Sequence, residues 1–205
     1  MKDLNHIEIS NEYLPVNLFE ILKKNIFTLK GKVQNQQNLA GNIEEEWGLN
    51  EIIPFFEKYF FSLINKKDYH LNNLNRERRK FKDVNQTPLL KLVNFWVNFQ
   101  KKYEFNPMHN HTGLFSFIIF VQIPYDINKE LENGPGRLSN SNYSSCLQFH
   151  TTDIFGRLRH DLVPVDKTYE GGVYFFNAET LHCVYPFFTS DDYRISVSGN
   201  IGWSV

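Results

Sequence analysis

The chain has 205 residues, 41% of them hydrophobic and 22% charged, with a formal net charge of −1. That balance is ordinary for a soluble globular protein and lacks the basic excess of a phosphate-gripping nucleic-acid binder, so a nucleic-acid partner is not expected. No apolar run approaches the roughly 18 residues of a membrane span, and Met1–Ser10 lacks the basic-then-apolar pattern of a secretory leader. The length favours one domain over residues 1–205. Cys146 and Cys183 occur without CxxC spacing, which suits free thiols in a reducing, cytoplasmic setting.

In chain order, the first third reads as helical. Leu18, Leu22, Ile26 and Leu29 recur at three- and four-residue steps, predicting a helix from about Leu14 to Leu29 with Pro15 in its first turn. Residues 31–42 are polar and predict a loop. A second helix is expected from about Glu51 to Ile64, capped by Asn50, with Pro54 tolerated near its start. The basic run Arg76–Lys80, with Lys82, reads as a solvated face or loop.

Near Lys91 the period changes to two. Phe95, Val97 and Phe99 alternate with Trp96, Asn98 and Gln100, which makes a strand with two different faces. Further strands are expected over Leu114–Ile123, Ser145–His150, Gly172–Phe176 and Tyr193–Ile201, with a turn-rich stretch from Asn133 to Ser144. Helices first and short strands after predict an α+β chain. A mainly helical part (1–90) would brace a β-sandwich or barrel (91–205).

The chemistry concentrates in the histidines. His6, His70 and His160 stand among mostly polar neighbours and read as surface residues. His109 and His111, in Asn106-Pro-Met-His-Asn-His-Thr-Gly113, project to one face of an extended segment, so both imidazoles could reach one metal. His182 follows an aromatic strand, and Arg194 comes twelve residues after it with Ser196 on the same strand face. An arginine fork grips a carboxylate, so this grouping points to a metal beside a bound acid. On the residues alone, a surface histidine pair and an ordinary strand arginine remain open.

In ordered combination these pieces resemble the 2-oxoglutarate- and iron(II)-dependent oxygenases, and within them a group common in marine bacteria and their phages. The resemblance runs from Trp96-Val-Asn98-Phe-Gln100 through the His109-Asn-His111 run and the Ser116-bearing strand ending at Pro124. It continues with Glu170-Gly-Gly172, Leu181-His182, Tyr185-Pro-Phe187 and Arg194-Ile-Ser-Val-Ser-Gly-Asn200. It is strong over about residues 90–202 and loose before them. The resemblance implies a double-stranded β-helix (jelly-roll, cupin-like) and a dioxygenase that couples decarboxylation of 2-oxoglutarate to hydroxylation of a small-molecule or peptide substrate by O2. It also implies Fe(II) on His109, His111 and His182, with 2-oxoglutarate bound by Arg194 and Ser196.

His111 stands where the family usually carries a carboxylate. Either it is a true third ligand, or water or an aspartate (Asp126 and Asp153 are nearest in sequence) completes the site. Three histidines also suit a cupin-type dioxygenase that uses no 2-oxoglutarate, or a zinc or manganese cupin; a non-catalytic jelly-roll binding module is the remaining alternative. Asn98, Gln100 and Asn200 are candidates to hold the keto acid or orient a histidine. His150 is a pocket contact or a structural residue. Trp96, Tyr174 and Phe176 are expected to line the barrel. Substrate choice should lie in the loops 125–144 and 31–42. The sequence leaves the oligomeric state open, a homodimer included.

Overall fold

Trp96 and Phe95 illustrate how this fold is built, because neighbours on one strand enter different layers. In the computed structural model, which describes residues 1–2, 9–34, 40–81 and 88–204, the chain runs β1 (Ile9–Tyr13), α1 (Val16–Leu29), β2 (Glu45–Gly48), α2 (Ile53–Ile64), α3 (Asp68–Arg78), β3 (Leu90–Gln100) and β4 (Asn106–His109). It continues with β5 (Phe115–Gln122), α4 (Ile127–Asn133), β6 (Leu147–Thr152), β7 (Leu158–Val163), β8 (Gly172–Asn177), β9 (Leu181–Val184) and β10 (Arg194–Trp203). Expectations for His6 and Lys82 fall outside the described residues.

Two antiparallel sheets result, a six-stranded one ordered β1-β8-β5-β10-β3-β2 and a four-stranded one ordered β4-β9-β6-β7. Period-two alternation divides the larger sheet's apolar residues between its faces. Phe115, Phe117, Ile119, Val173 and Phe175 pack with the buried stripes of α1 and α2. Their neighbours Ile118, Phe120, Tyr174 and Phe176 pack instead with Leu147, Phe149 and Val163 of the smaller sheet. The helices therefore cover one face and the second sheet covers the other. Phe60 of α2 stacks on Phe117 of β5 with ring centroids 3.6 Å apart. Burying such a ring is worth about 1.5–3 kcal/mol. No helix among the described residues is long and apolar enough to cross a membrane.

Several expectations change here. The N-terminal part contributes strands as well as helices: β1 pairs with β8, and β2 pairs with β3. Both are short segments whose alternation is too brief to read. Asn50 does not cap α2. It begins a 3₁₀ turn over Asn50–Ile52 that leads into α2 without a side-chain cap, and Pro54 fits the first turn. The basic run ends α3, with Arg76, Arg78 and Lys80 exposed and Lys80 paired to Glu77.

His70 is not a surface residue. It is 0% exposed, edge-on to Phe115 and Phe175 at 5.5 and 5.2 Å. The exposed polar residues of α3 lie on its other side, while His70 and Leu74, one turn apart, face inward together with Asn73. His160 is exposed on β7 as expected. Both cysteines are free and buried.

Candidate active site

Strand pairing assembles the histidines. β4 and β9 are antiparallel neighbours with His109 opposite His182, so both rings project to one face of the smaller sheet. His111 lies in the turn after β4, its backbone N–H donating to Ala178 O at 2.8 Å. Gly113 then reverses the chain at φ +104°, where a Cβ would come within 2.8 Å of Ile201 O. Glycine is required at that position.

The ring centroids lie 4.3 Å (His109–His182), 4.9 Å (His109–His111) and 5.0 Å (His111–His182) apart. One nitrogen from each ring falls within 4.8 Å of the others, and no Asp or Glu joins this cluster among the described residues. Asp126 instead caps α4 through Asn128 N, and Asp153 holds Phe155 N and Arg157.

The tautomers follow from the backbone. His109 Nδ1 lies 2.7 Å from Pro107 O, and His182 Nδ1 lies 3.0 Å from Thr180 O. A carbonyl only accepts, so Nδ1 carries the proton in both rings and Nε2 keeps its lone pair. Burial pushes the pKa of all three histidines down, to about 4 for His111 and well below the ordinary value for the almost fully enclosed His182. They are therefore neutral at pH 7, the form that binds metal.

The facing wall comes from the larger sheet. Glu46, Asn98, Ser196 and Phe120 lie opposite one another across β2, β3, β10 and β5, and all line the cavity that holds the histidines. One step along, Trp96, Ser198 and Ile118 form a second such row, with Trp96 5.8 Å from the His111 ring. Asn98 bridges Trp96 Nε1 and Ser196 Oγ.

Arg194 reaches the same cavity and is 2% exposed. All five of its N–H donors are used, at 2.7–3.0 Å, on Gln100 Oε1 (twice), Tyr125 Oη, Ser145 O and Tyr185 O. None of these acceptors carries a full negative charge. A buried guanidinium held only by neutral dipoles is a cation still lacking a counter-charge.

The expected site residues thus separate. His109, His111, His182, Arg194, Ser196 and Asn98 share one cavity. Gln100 supports Arg194 from outside the cavity lining, and Asn200 bonds Ser116 Oγ at 2.7 Å instead of reaching the histidines. His150 lies with His160 across β6 and β7, 6.5 Å ring to ring, beside a different depression. Phe176 packs on His182 at 4.9 Å, and Tyr174 is buried between the sheets. Of the expected substrate loops, Ala40 and Gly41 line the cavity; the 125–144 stretch does not, although Tyr125 binds Arg194. Sequence reasoning missed Tyr125 and Glu46. Nothing local marks either: Tyr125 follows a strand-ending proline, and Glu46 closes a run of three glutamates that reads as solvated.

Residues 94–200, just over half of the chain, match the model of a family described as "Putative 2OG-Fe(II) oxygenase". The chain belongs to this family.

Several solved structures are similar to the chain at low identity. An oxidoreductase of the 2OG-Fe(II) oxygenase family from Burkholderia pseudomallei is 18% identical, with a TM-score of 0.39 over 66% of this chain and 57% of that one, so this chain spans just over half its length. A Pseudomonas putida prolyl-4-hydroxylase is 14% identical, with a TM-score of 0.49 over 96% and 91% of the two chains. A Trichoplax adhaerens prolyl hydroxylase, solved with a hypoxia inducible factor peptide fragment, is 8% identical, with a TM-score of 0.50 over 97% and 84%. The last likeness supports the double-stranded β-helix fold. No curated protein matches the chain. For a 2OG-Fe(II) oxygenase the donor set fits: three neutral imidazoles suit a divalent first-row ion, and Arg194 offers a positive charge to an acid.

Proposed function

We propose that this oxygenase is an Fe(II)- and 2-oxoglutarate-dependent dioxygenase that hydroxylates a small-molecule or peptide substrate, working as one domain over residues 1–205 in a reducing cytoplasm. The observation that carries the reading is the meeting, in one cavity, of a three-histidine cluster and a buried arginine whose acceptors are all neutral.

His109, His111 and His182 would hold the metal, with the carbonyls of Pro107 and Thr180 keeping Nε2 of His109 and His182 unprotonated. Iron and 2-oxoglutarate together supply the oxidation: O2 is consumed, the keto acid becomes succinate and carbon dioxide, and a substrate C–H becomes C–OH. Arg194 would take the far carboxylate of the keto acid. Charge-assisted bonds are roughly twice as strong as neutral ones, so a carboxylate can displace the Gln100 amide oxygen or the Tyr125 hydroxyl from the guanidinium. Ser196 adds a hydroxyl two residues along β10, and Asn98 orients it at 3.3 Å. Ile118, Phe120, Leu147 and Val184 keep the cavity apolar around these groups and exclude water.

A second reading keeps the metal and drops the keto acid. It is favoured by the absence of a carboxylate from the cluster among the described residues and by the full set of internal bonds on Arg194. Anaerobic loading with iron(II) followed by 2-oxoglutarate separates the two. A visible iron-to-keto-acid charge-transfer band that is lost in Arg194→Ala supports the first. Bound iron with no band supports the second.

A further inference from the structure

One group in the cavity wall lacks a partner among the described residues. Glu46 is 1% exposed, and its Oε2 receives no hydrogen bond from them. An unpaired buried carboxyl costs stability that a well-packed apolar side chain would not. The neighbouring acids are all engaged: Glu45 with Lys30 and Tyr193, Glu44 with Lys101, and Glu104 with the backbone N–H groups of Glu44 and Lys101.

The fold aims this carboxyl at the reaction space. Its register partner Asn98 and, beyond that, Ser196 project from the same wall, and all three line the cavity with the histidines. Glu46 is not part of the histidine cluster. The backbone at Gly41 crosses it so closely that a Cβ there would lie 3.1 Å from Glu46 Oε1 and 2.2 Å from Asn106 Oδ1. The absence of a side chain at Gly41 lets its backbone lie close against the buried carboxyl.

Histidines aside, Arg194 and Glu46 are the ionisable side chains of the cavity lining among the described residues. Resting on the reading in which Arg194 takes the acid co-substrate, we propose that Glu46 is the substrate-recognising residue and accepts hydrogen bonds from an ammonium or guanidinium group on the molecule to be oxidised. Burial and the nearby Glu104 push its pKa up to about 8, as expected for a carboxyl awaiting its counter-ion. A cation in contact would draw it into the ionised form.

The test uses n-butylguanidinium, n-butylammonium and the neutral n-butanol, titrated into the full chain by ligand-observed NMR. 2-Oxoglutarate binding is followed in parallel through the charge-transfer band. Wild type should bind the two cations at least about tenfold tighter than the alcohol. Glu46→Gln should lose that preference while keeping the band, and Glu46→Asp should retain it in part, which excludes misfolding as the cause. Equal binding of cation and alcohol by wild type, or a preference that survives in Glu46→Gln, overturns the proposal. A cation preference in a protein that gives no band supports Glu46 and removes the 2-oxoglutarate reading instead.

Discussion

His109 and His182 face each other across β4 and β9 with their rings 4.3 Å apart, and each ring is oriented by the carbonyl two residues before it in its own chain segment. Two strands thus present two pre-set Nε2 lone pairs to one point, and His111 adds a third donor from the turn between β4 and β5. The arrangement is rigid because the orienting acceptors are backbone atoms of the same segments.

If these rings are the ligands, His109→Ala and His182→Ala should each abolish stoichiometric iron(II), read by elemental analysis after gel filtration. Full occupancy in either variant would remove that residue from the site. His111→Ala should weaken iron binding by more than about 10-fold, the least that loss of a hydrogen-bond partner behind a ligand typically costs; unchanged affinity would reduce His111 to a neighbour of the metal.

Arg194 should discriminate between the two ligands. Arg194→Lys keeps the charge but loses the planar fork, so 2-oxoglutarate should bind at least about tenfold more weakly while iron affinity stays unchanged. Titration calorimetry of the two ligands, one at a time, reads this directly. Equal losses for both would mean that Arg194 only supports the fold.

Gly113 sets the turn that brings His111 to the cluster. Gly113→Ala forces a Cβ onto Ile201 O at a positive φ, which should cost about 1–3 kcal/mol of stability. The melting temperature should fall and iron affinity with it. A variant as stable as wild type would show that the turn adapts freely.

His70 should make the metal-free fold acid-sensitive. Burial lowers its pKa to about 4, against the ordinary 6.5 of an unfolded chain. Between these values the unfolded state binds more protons. Stability is therefore fully present above about pH 6.5 and lost as pH falls toward 4. The metal ligands share this direction, so His70→Phe is the comparison. Between pH 7 and 4.5 wild type should lose on the order of 2–3 kcal/mol more than the variant in urea denaturation. Parallel losses would show that His70 takes up its proton as readily in the folded protein as in the unfolded chain.

The sequence alone determined the periods and the chemistry. Alternation around Phe95–Gln100 and within Tyr193–Ile201 marked β3 and β10, leucine spacing marked α1, and the His109-x-His111 spacing with His182 and Arg194 picked out residues that share one cavity. These signals are local, because side-chain direction along one element follows from its repeat. The tertiary structure decided everything that depends on which strand lies beside which. Pairing of β4 with β9 made three histidines one cluster, and pairing of β2 with β3 turned the last of three consecutive glutamates into a buried cavity residue. The same long-range packing drew His70 inward from a polar stretch and sent Asn200 to Ser116. Burial and partnership are properties of residues distant in sequence, and a local repeat carries no record of them.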